Sequence, residues 1–120
     1  MALIDAPAEL QDGIREFWPE AEWENAANIA WLESGWNAFV RANTTTADAP
    51  CGAVLGTRAG VAYTAEDSYG YFQINACNLP ADWEAARLYN ARHNCGTAHD
   101  LWSTRGWQPW YFSAKALGLL

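Results

Sequence analysis

Glu33 is the residue whose surroundings most favour acid–base chemistry. It closes an apolar run and is followed by Ser34 and Gly35. If this run is a helix, Ile29 and Ala30 lie one turn before Glu33 on the same face. Apolar neighbours remove hydration from a carboxyl group, and the negative end of the helix dipole acts in the same direction, so the pKa should rise. Such a carboxyl suits a general acid, for example toward a glycosidic oxygen. An ordinary surface glutamate in a last helical turn gives the same local pattern.

A second candidate cluster covers residues 66–75, with the sequence EDSYGYFQIN. Gly70 indicates a tight backbone position, and Phe72 and Ile74 alternate as in a strand or in a turn that enters the core. The segment also contains flat and amide side chains that suit sugar faces and acetamido groups, namely Tyr69, Tyr71, Gln73 and Asn75. An ordinary return strand of a hairpin is the alternative interpretation.

Two carboxylates begin this cluster. Glu66 or Asp67 could hold a water molecule or serve as a second catalytic carboxylate if the hairpin turns it inward. For Asp67, a solvated position on the hairpin is the competing interpretation.

Helices are predicted before and after this region. One spans residues 7–18, and Pro19 ends it and can begin a second helix over residues 19–34, with Gly35 as its stop. The Thr-, Gly- and Pro-rich residues 36–68 indicate turns and short strands, and hence a small β hairpin or β lobe. A short helix from Pro80 that contains Trp83 and Leu88, a helix over residues 91–105 ended by Gly106, and an aromatic segment over residues 107–112 complete the pattern. The prediction is one α+β domain over residues 1–120.

The aromatic residues divide into two sets. Helical spacing predicts core positions for Trp23, Trp31 and Trp102. A second set flanks the motifs and could stack on sugar rings, namely Trp36, Tyr69, Trp107 and Trp110. For Trp107 and Trp110, packing between lobes is the favoured alternative.

Charge excludes several function classes. The chain has 14 acidic and 7 basic residues, for a net charge of −7, which argues against binding nucleic acid and against long-range attraction to an anionic wall or membrane. No run approaches the ~18 apolar residues of a membrane helix. Because the first residues lack a signal-peptide pattern, we expect delivery by some other route than a standard secretion signal.

The chain contains three cysteines, so at least one is unpaired within it. A Cys77–Cys95 bridge is the preferred pairing, and buried thiols in a reducing compartment are the alternative. His93, Cys95 and His99 are too few for a structural zinc site, so no metal and no cofactor is expected.

Three segments, in this order, resemble the lysozyme-like superfamily, and in particular its lytic transglycosylase and phage lysozyme branch. Residues 29–37, IAWLESGWN, resemble the end of the catalytic helix, a hydrophobic run closed by Glu-Ser. Residues 68–75, SYGYFQIN, resemble the family's Gly-x-x-Gln-Ile segment and the Tyr-Gly-x-x-Gln-Ile-Asn segment of animal lysozymes. Residues 90–94 and the later GWQPW at 106–110 resemble a helix and the Gly-Trp-x-x-Trp ending of many phage and actinobacterial members. Each motif is weak alone, but the ordered set is specific.

The resemblance implies a groove between a helical lobe and a small β lobe, and cleavage of the β-1,4 bond between N-acetylmuramic acid and N-acetylglucosamine in peptidoglycan. It implies Glu33 as general acid and base, and Asn94 as a support residue. Ser68 stands where animal lysozymes carry a nucleophilic Asp, which favours the single-Glu mechanism of lytic transglycosylases and a 1,6-anhydromuramic product. It implies Tyr71, Gln73 and Asn75 as groove-lining residues, and Ser68 and Tyr69 of the same segment are further candidates for substrate binding.

Two alternatives remain open. A hydrolase would use Asp67 or Glu66 as second carboxylate, and a structural component of a phage tail or virion would keep the fold with weak or lost activity. The expected partners are peptidoglycan glycan strands and, in a phage, other tail or virion proteins. The expected location is the virion, or the bacterial cell wall after release.

Overall fold

The computed structural model describes residues 1–80 and 82–120, and these form helices with small antiparallel sheets. This confirms the predicted α+β class. The helices are α1 (Ala8–Phe17), α2 (Trp23–Ser34), α3 (Ala91–Arg105) and α4 (Tyr111–Ala116). The strands are β1 (Arg41–Asn43), β2 (Val54–Arg58), β3 (Val61–Thr64), β4 (Asp67–Tyr69) and β5 (Ile74–Asn75). Single 3₁₀ turns cover Leu3–Asp5, Glu20–Glu22, Ala76–Asn78, Ala85–Tyr89 and Gln108–Trp110.

Particular residue types set three of the helix ends. Trp18 is extended because a residue before proline disfavours the helical region, so α1 stops there. Gly35 ends α2 in the left-handed conformation, with φ of 60°. Asn90 caps α3 by accepting hydrogen bonds from the backbone N–H groups of Arg92 and His93 at 3.0 and 3.2 Å.

Two helix predictions need correction. The turn Glu20–Glu22 is 3₁₀, so α2 begins at Trp23 rather than at Pro19. The helix predicted from Pro80 is a single 3₁₀ segment, Ala85–Tyr89, which leaves Trp83 before it. The first correction concerns a boundary, which local residue patterns specify poorly, and the second also concerns the type of helix.

The β region predicted between residues 36 and 68 is confirmed, and its strands belong to two separate sheets, the first of which also includes β5. In the first, β4 lies between β1 and β5, with Arg41 opposite Tyr69 and Ser68 opposite Asn75. In the second, β2 and β3 pair only with each other as an exposed antiparallel hairpin. The hairpin thus extends from the body of the protein and can form one wall of a cleft.

One core of buried residues runs from Leu3 to Ala114 and joins all four helices to the turn between β4 and β5. Trp18 stacks on Phe72 and on Trp107, with ring centroids 5.1 and 6.4 Å apart. Trp110 donates its indole N–H to the Phe72 carbonyl at 2.7 Å. Packing, rather than exposure to a ligand, therefore accounts for Trp107.

Of the three tryptophans predicted to lie in the core, the prediction for Trp31 is wrong. It is 38% exposed at the surface of α2, where it contacts the ring of Trp36. Trp23 and Trp102 pack against the core while remaining partly exposed. The apolar stripe of α2 is instead carried by Ala26, Ala27, Ile29 and Ala30, all fully buried.

The predicted Cys77–Cys95 pairing is wrong. Cys51, at the base of the β2–β3 hairpin, is bonded to Cys77, which follows β5. Cys95 is a fully buried free thiol on the inner face of α3, against Gly13 of α1, where a Cβ atom would lie 2.6 Å from its sulfur. Burial raises the pKa of this thiol to about 12.

Over the residues described, no helix has the length and apolar character needed to cross a membrane.

Candidate active site

The main cavity is a cleft of about 770 Å³ that contains Glu33. It is lined by residues of the β2–β3 hairpin, by the end of α3 and by residues 108–112. Residues 73–75 of the turn and β5 also contribute. A second cavity of about 360 Å³ adjoins it along α4, and Glu33, Arg58 and Glu66 line both. We refer to the two cavities as the cleft and the side cavity.

Glu33 is half-buried at the end of α2, and Ser113 of α4 donates a hydrogen bond from its hydroxyl group to Glu33 Oε2 at 2.5 Å. Burial raises the pKa of Glu33, the bond from Ser113 lowers it, and the charge of Glu66 raises it; burial has the largest effect, so the net direction is upward. A carboxyl that stays protonated above its usual range can donate a proton to a bound ligand.

Glu66 is the second carboxylate of the cleft. It lies just before β4, and its backbone is held by Thr44, whose N–H group donates to the Glu66 carbonyl at 2.8 Å. The Thr44 hydroxyl accepts a bond from the Glu66 N–H group at 2.9 Å, and the Ser68 hydroxyl donates to Glu66 Oε2 at 3.1 Å. Glu66 lines both cavities together with Glu33.

Asp67 points away from the cleft, which corrects its predicted place in the groove. Its two oxygens accept bonds from the Arg41 guanidinium at 2.8 and 3.0 Å, and one accepts a bond from the Tyr69 hydroxyl at 3.1 Å. The guanidinium lowers the pKa of Asp67. Because successive residues of a strand point to opposite faces, Glu66 and Asp67 cannot both face Glu33.

Gln73 and Asn75 line the cleft. The Gln73 side chain donates to the carbonyls of Val40 and Gly70, both at 3.0 Å, which holds the turn closed. Asn75 Oδ1 accepts bonds from the N–H groups of Asp67 and Cys77, both at 3.1 Å. Both amides thus have defined positions on the cleft wall.

Ser68, Tyr69 and Tyr71 are buried and are not among the residues that line the cleft, which differs from the place in the groove predicted for them. Tyr71 reaches α1, where its hydroxyl group donates a hydrogen bond to Glu9, and burial raises its pKa. Tyr69 packs edge-to-face on Tyr89. The tight turn after Tyr69 directs the alternating aromatic side chains into the body of the protein.

Asn94 of α3 is fully buried and holds this turn in place. It accepts a bond from the Phe72 N–H group and donates to the Tyr69 and Leu88 carbonyls, all at 2.9 Å. Gly70 lies against it, with φ of 74°. A Cβ atom at this glycine would lie 2.5 Å from the Asn94 side-chain nitrogen. The contact between α3 and the turn therefore positions the strand end that carries Gln73 and Asn75.

Several cleft residues have no counterpart in the sequence prediction. The most important are Arg58, whose guanidinium lies 4.7 Å from the centroid of the Phe112 ring, and, in the side cavity, Ser113, which binds Glu33. In the sequence, the aromatic run at 107–112 and the GWQPW motif at 106–110 indicated that the C-terminal segment mattered. The contact between Ser113 and Glu33 joins residues 80 positions apart, so no local spacing could have revealed it.

Comparison with protein-family models, with curated proteins and with solved structures finds no match to this chain. The site is therefore interpreted from its own geometry. In the described part of the chain, no three His, Cys, Asp or Glu side chains are grouped so as to hold a metal ion. The described residues do bring together a half-buried carboxyl, a second carboxylate, amides and aromatic rings, which can bind a polar chain and protonate it.

Proposed function

We propose that this chain cleaves the β-1,4 bond between N-acetylmuramic acid and N-acetylglucosamine in peptidoglycan, on a lysozyme-like fold. The observation that carries the proposal is the position of Glu33, whose carboxyl group lies half-buried in the cleft with a raised pKa and a hydrogen bond from Ser113. A general acid for a glycosidic oxygen requires this combination of access and retained proton.

The lining of the cleft supports a sugar ligand. Its volume of about 770 Å³ lies in the range of ligand sites and is large enough for several sugar rings. Amides and rings suited to acetamido groups and sugar faces line it, namely Tyr63, Gln73, Asn75, Asn78, Tyr111 and Phe112.

In the proposed mechanism, Glu33 donates its proton to the glycosidic oxygen as the bond to the muramic acid carbon breaks. The acetamido group of the substrate stabilises the positive charge at that carbon. The Glu33 carboxylate then takes the proton of the C6 hydroxyl group, whose oxygen attacks the same carbon and forms the 1,6-anhydro ring. Glu33 thereby recovers its proton. The occurrence of serine at position 68, buried and bonded to Glu66, supports a route without a nucleophilic aspartate.

A hydrolase is the second candidate. Because Glu66 lines the cleft together with Glu33 and Asp67 does not, the geometry favours Glu66 over Asp67 as its second carboxylate. The two carboxylates are close enough for Glu66 to raise the pKa of Glu33 through its charge. In this route, Glu66 positions a water molecule or attacks the sugar carbon. Asp67 has no such role, because Arg41 occupies both of its oxygens.

Delivery to the wall is a separate part of the proposal. A net charge of −7 does not attract the chain to an anionic surface, so we favour its attachment to a larger assembly such as a phage tail or virion. Release at the bacterial wall is the alternative.

The test is mass spectrometry of the soluble products from purified peptidoglycan, with wild-type protein and the Glu33→Gln variant. Anhydro-ended muropeptides that disappear with Glu33→Gln would support the transglycosylase, and reducing ends that disappear with Glu66→Gln would support the hydrolase. Absence of products from several wall types would contradict both and would favour a structural component.

A further inference from the structure

We propose that Arg58 determines specificity by binding a carboxylate of the stem peptide, so that the site prefers peptide-bearing glycan strands to neutral ones. This inference rests on the proposed function, which assigns the glycan to the cleft. It adds a second recognition element in the side cavity.

Arg58 is the last residue of β2, at the end of the exposed hairpin. It lines both the cleft and the side cavity, together with Glu33 and Glu66. Its guanidinium lies over the Phe112 ring, and Phe112 directly precedes Ser113, which binds Glu33. A group bound by Arg58 would therefore lie beside the acid that cleaves the strand.

The guanidinium is available to a ligand. Within the described residues, Arg41 and Arg92 form ion pairs with Asp67 and Glu16, whereas Arg58 has no carboxylate oxygen within 4.0 Å. Stacking on an aromatic ring fixes the plane of a guanidinium and leaves its N–H groups directed outward in that plane. Two of these groups can bind the two oxygens of a carboxylate.

The charge of the cleft supports an anionic ligand. The whole chain has twice as many acidic as basic residues, but the cleft is lined by two of each, Glu33 and Glu66 against Arg58 and Arg105. A neutral sugar chain offers the guanidinium no opposite charge, whereas the stem peptides of peptidoglycan carry carboxylates.

The side cavity can receive the peptide. Leu32, Pro109 and Ala116 give it an apolar part, and Arg58 and Glu66 lie at its border with the cleft. A strand in the cleft would extend its peptide past Phe112 into this space, which brings a carboxylate to Arg58.

The experiment measures binding rather than turnover, by calorimetry on the full chain carrying Glu33→Gln to prevent cleavage. The probes are a soluble disaccharide–tetrapeptide muropeptide, the same muropeptide with its carboxylates amidated, and chitotetraose as neutral glycan. Arg58→Gln should weaken binding of the charged muropeptide about tenfold to a hundredfold, as expected for a charged hydrogen bond. It should leave chitotetraose and the amidated probe within about twofold, and Arg58→Lys should recover part of the loss, because a point charge lacks the paired donors.

Arg87→Gln is the matched control, since Arg87 also lies over an aromatic ring, that of Trp83, but outside the cleft lining. It should change none of the affinities. Any of three results would overturn the inference. These are equal affinity of Arg58→Gln and its parent for the charged muropeptide, an equal loss of affinity for all three probes, and no measurable binding of the charged probe. If the protein prefers the charged muropeptide to the amidated one but releases no product from the wall, the proposed function would be contradicted and the binding site at Arg58 would be supported.

Discussion

Ser113 of α4 donates a hydrogen bond to Glu33 of α2, so the C-terminal helix completes the candidate site begun by the second helix. This bond stabilises the ionised form of Glu33, whereas burial and the charge of Glu66 favour the protonated form. The bond from Ser113 and the charge of Glu66 can each be removed by one substitution.

Removing the bond should raise the pKa of Glu33 further. With Ser113→Ala, the carboxyl loses the contact that favours ionisation, and the proton needed for general acid catalysis is kept to higher pH. We expect the alkaline limb of the pH–rate profile for release of soluble muropeptides to move to higher pH. Ser103→Ala, on the exposed surface of α3, is the control and should leave the profile in place. A shift to lower pH would contradict this assignment.

Neutralising Glu66 should have the opposite effect. Its charge raises the pKa of Glu33, so Glu66→Gln should lower that pKa and move the alkaline limb to lower pH. If the single-Glu mechanism operates, the maximal rate should stay within about tenfold, since only the proton affinity of the acid changes. A loss of a hundredfold or more at every pH would instead indicate the hydrolase. Asp67→Asn should leave the profile unchanged, because Asp67 faces Arg41.

Glu33 should also make stability depend on pH. Its pKa is raised above the unfolded value of 4.5, so between 4.5 and the folded-state pKa the folded protein holds a proton that the unfolded chain has released. Stability from this group is present below pH 4.5 and is lost as the pH rises through the folded-state pKa. Glu33→Gln should therefore melt at a higher temperature than wild type at pH 8, with a smaller difference at pH 4. A difference in melting temperature between the variant and wild type that grows toward acid pH would be inconsistent with the buried position of Glu33.

The turn at Gly70 should tolerate no side chain. Gly70→Ala would place a Cβ atom 2.4 Å from the Leu88 carbonyl oxygen, in addition to the positive φ. Strain and overpacking together should lower the free energy of unfolding by about 2–5 kcal/mol, measured by urea denaturation. Gly60→Ala has a similar φ of 78° with no atom within 4 Å, so it should cost only about 1–2 kcal/mol. Equal effects of the two substitutions would show that the contact with Leu88 and Asn94 is unimportant.

The sequence could predict those parts of the site that depend on residues close together in the chain. The position of Glu33 follows from an apolar helix that ends at Gly35, and the tight turn follows from Gly70, because both depend on a few consecutive residues. The α+β class follows from the change in composition after residue 35.

The remaining features depend on tertiary contacts. Whether Glu66 or Asp67 faces the cleft depends on the register of β4 against β1, and a shift of one residue would exchange them. The inward direction of Tyr71 depends on Glu9 in α1, and the pairing of Cys51 with Cys77 depends on where the hairpin base meets β5. Residues far apart in the chain decide each of these, so their spacing carries no such information.

The most direct test of the central claim is the rate at which purified wild-type protein and Glu33→Gln release soluble muropeptides from peptidoglycan at the pH optimum. Loss of a general acid should reduce the rate about a hundredfold to ten-thousandfold. The variant should remain folded, since glutamine keeps the oxygen that accepts the bond from Ser113. A folded Glu33→Gln protein that releases muropeptides at the wild-type rate would show that Glu33 is not the catalytic acid.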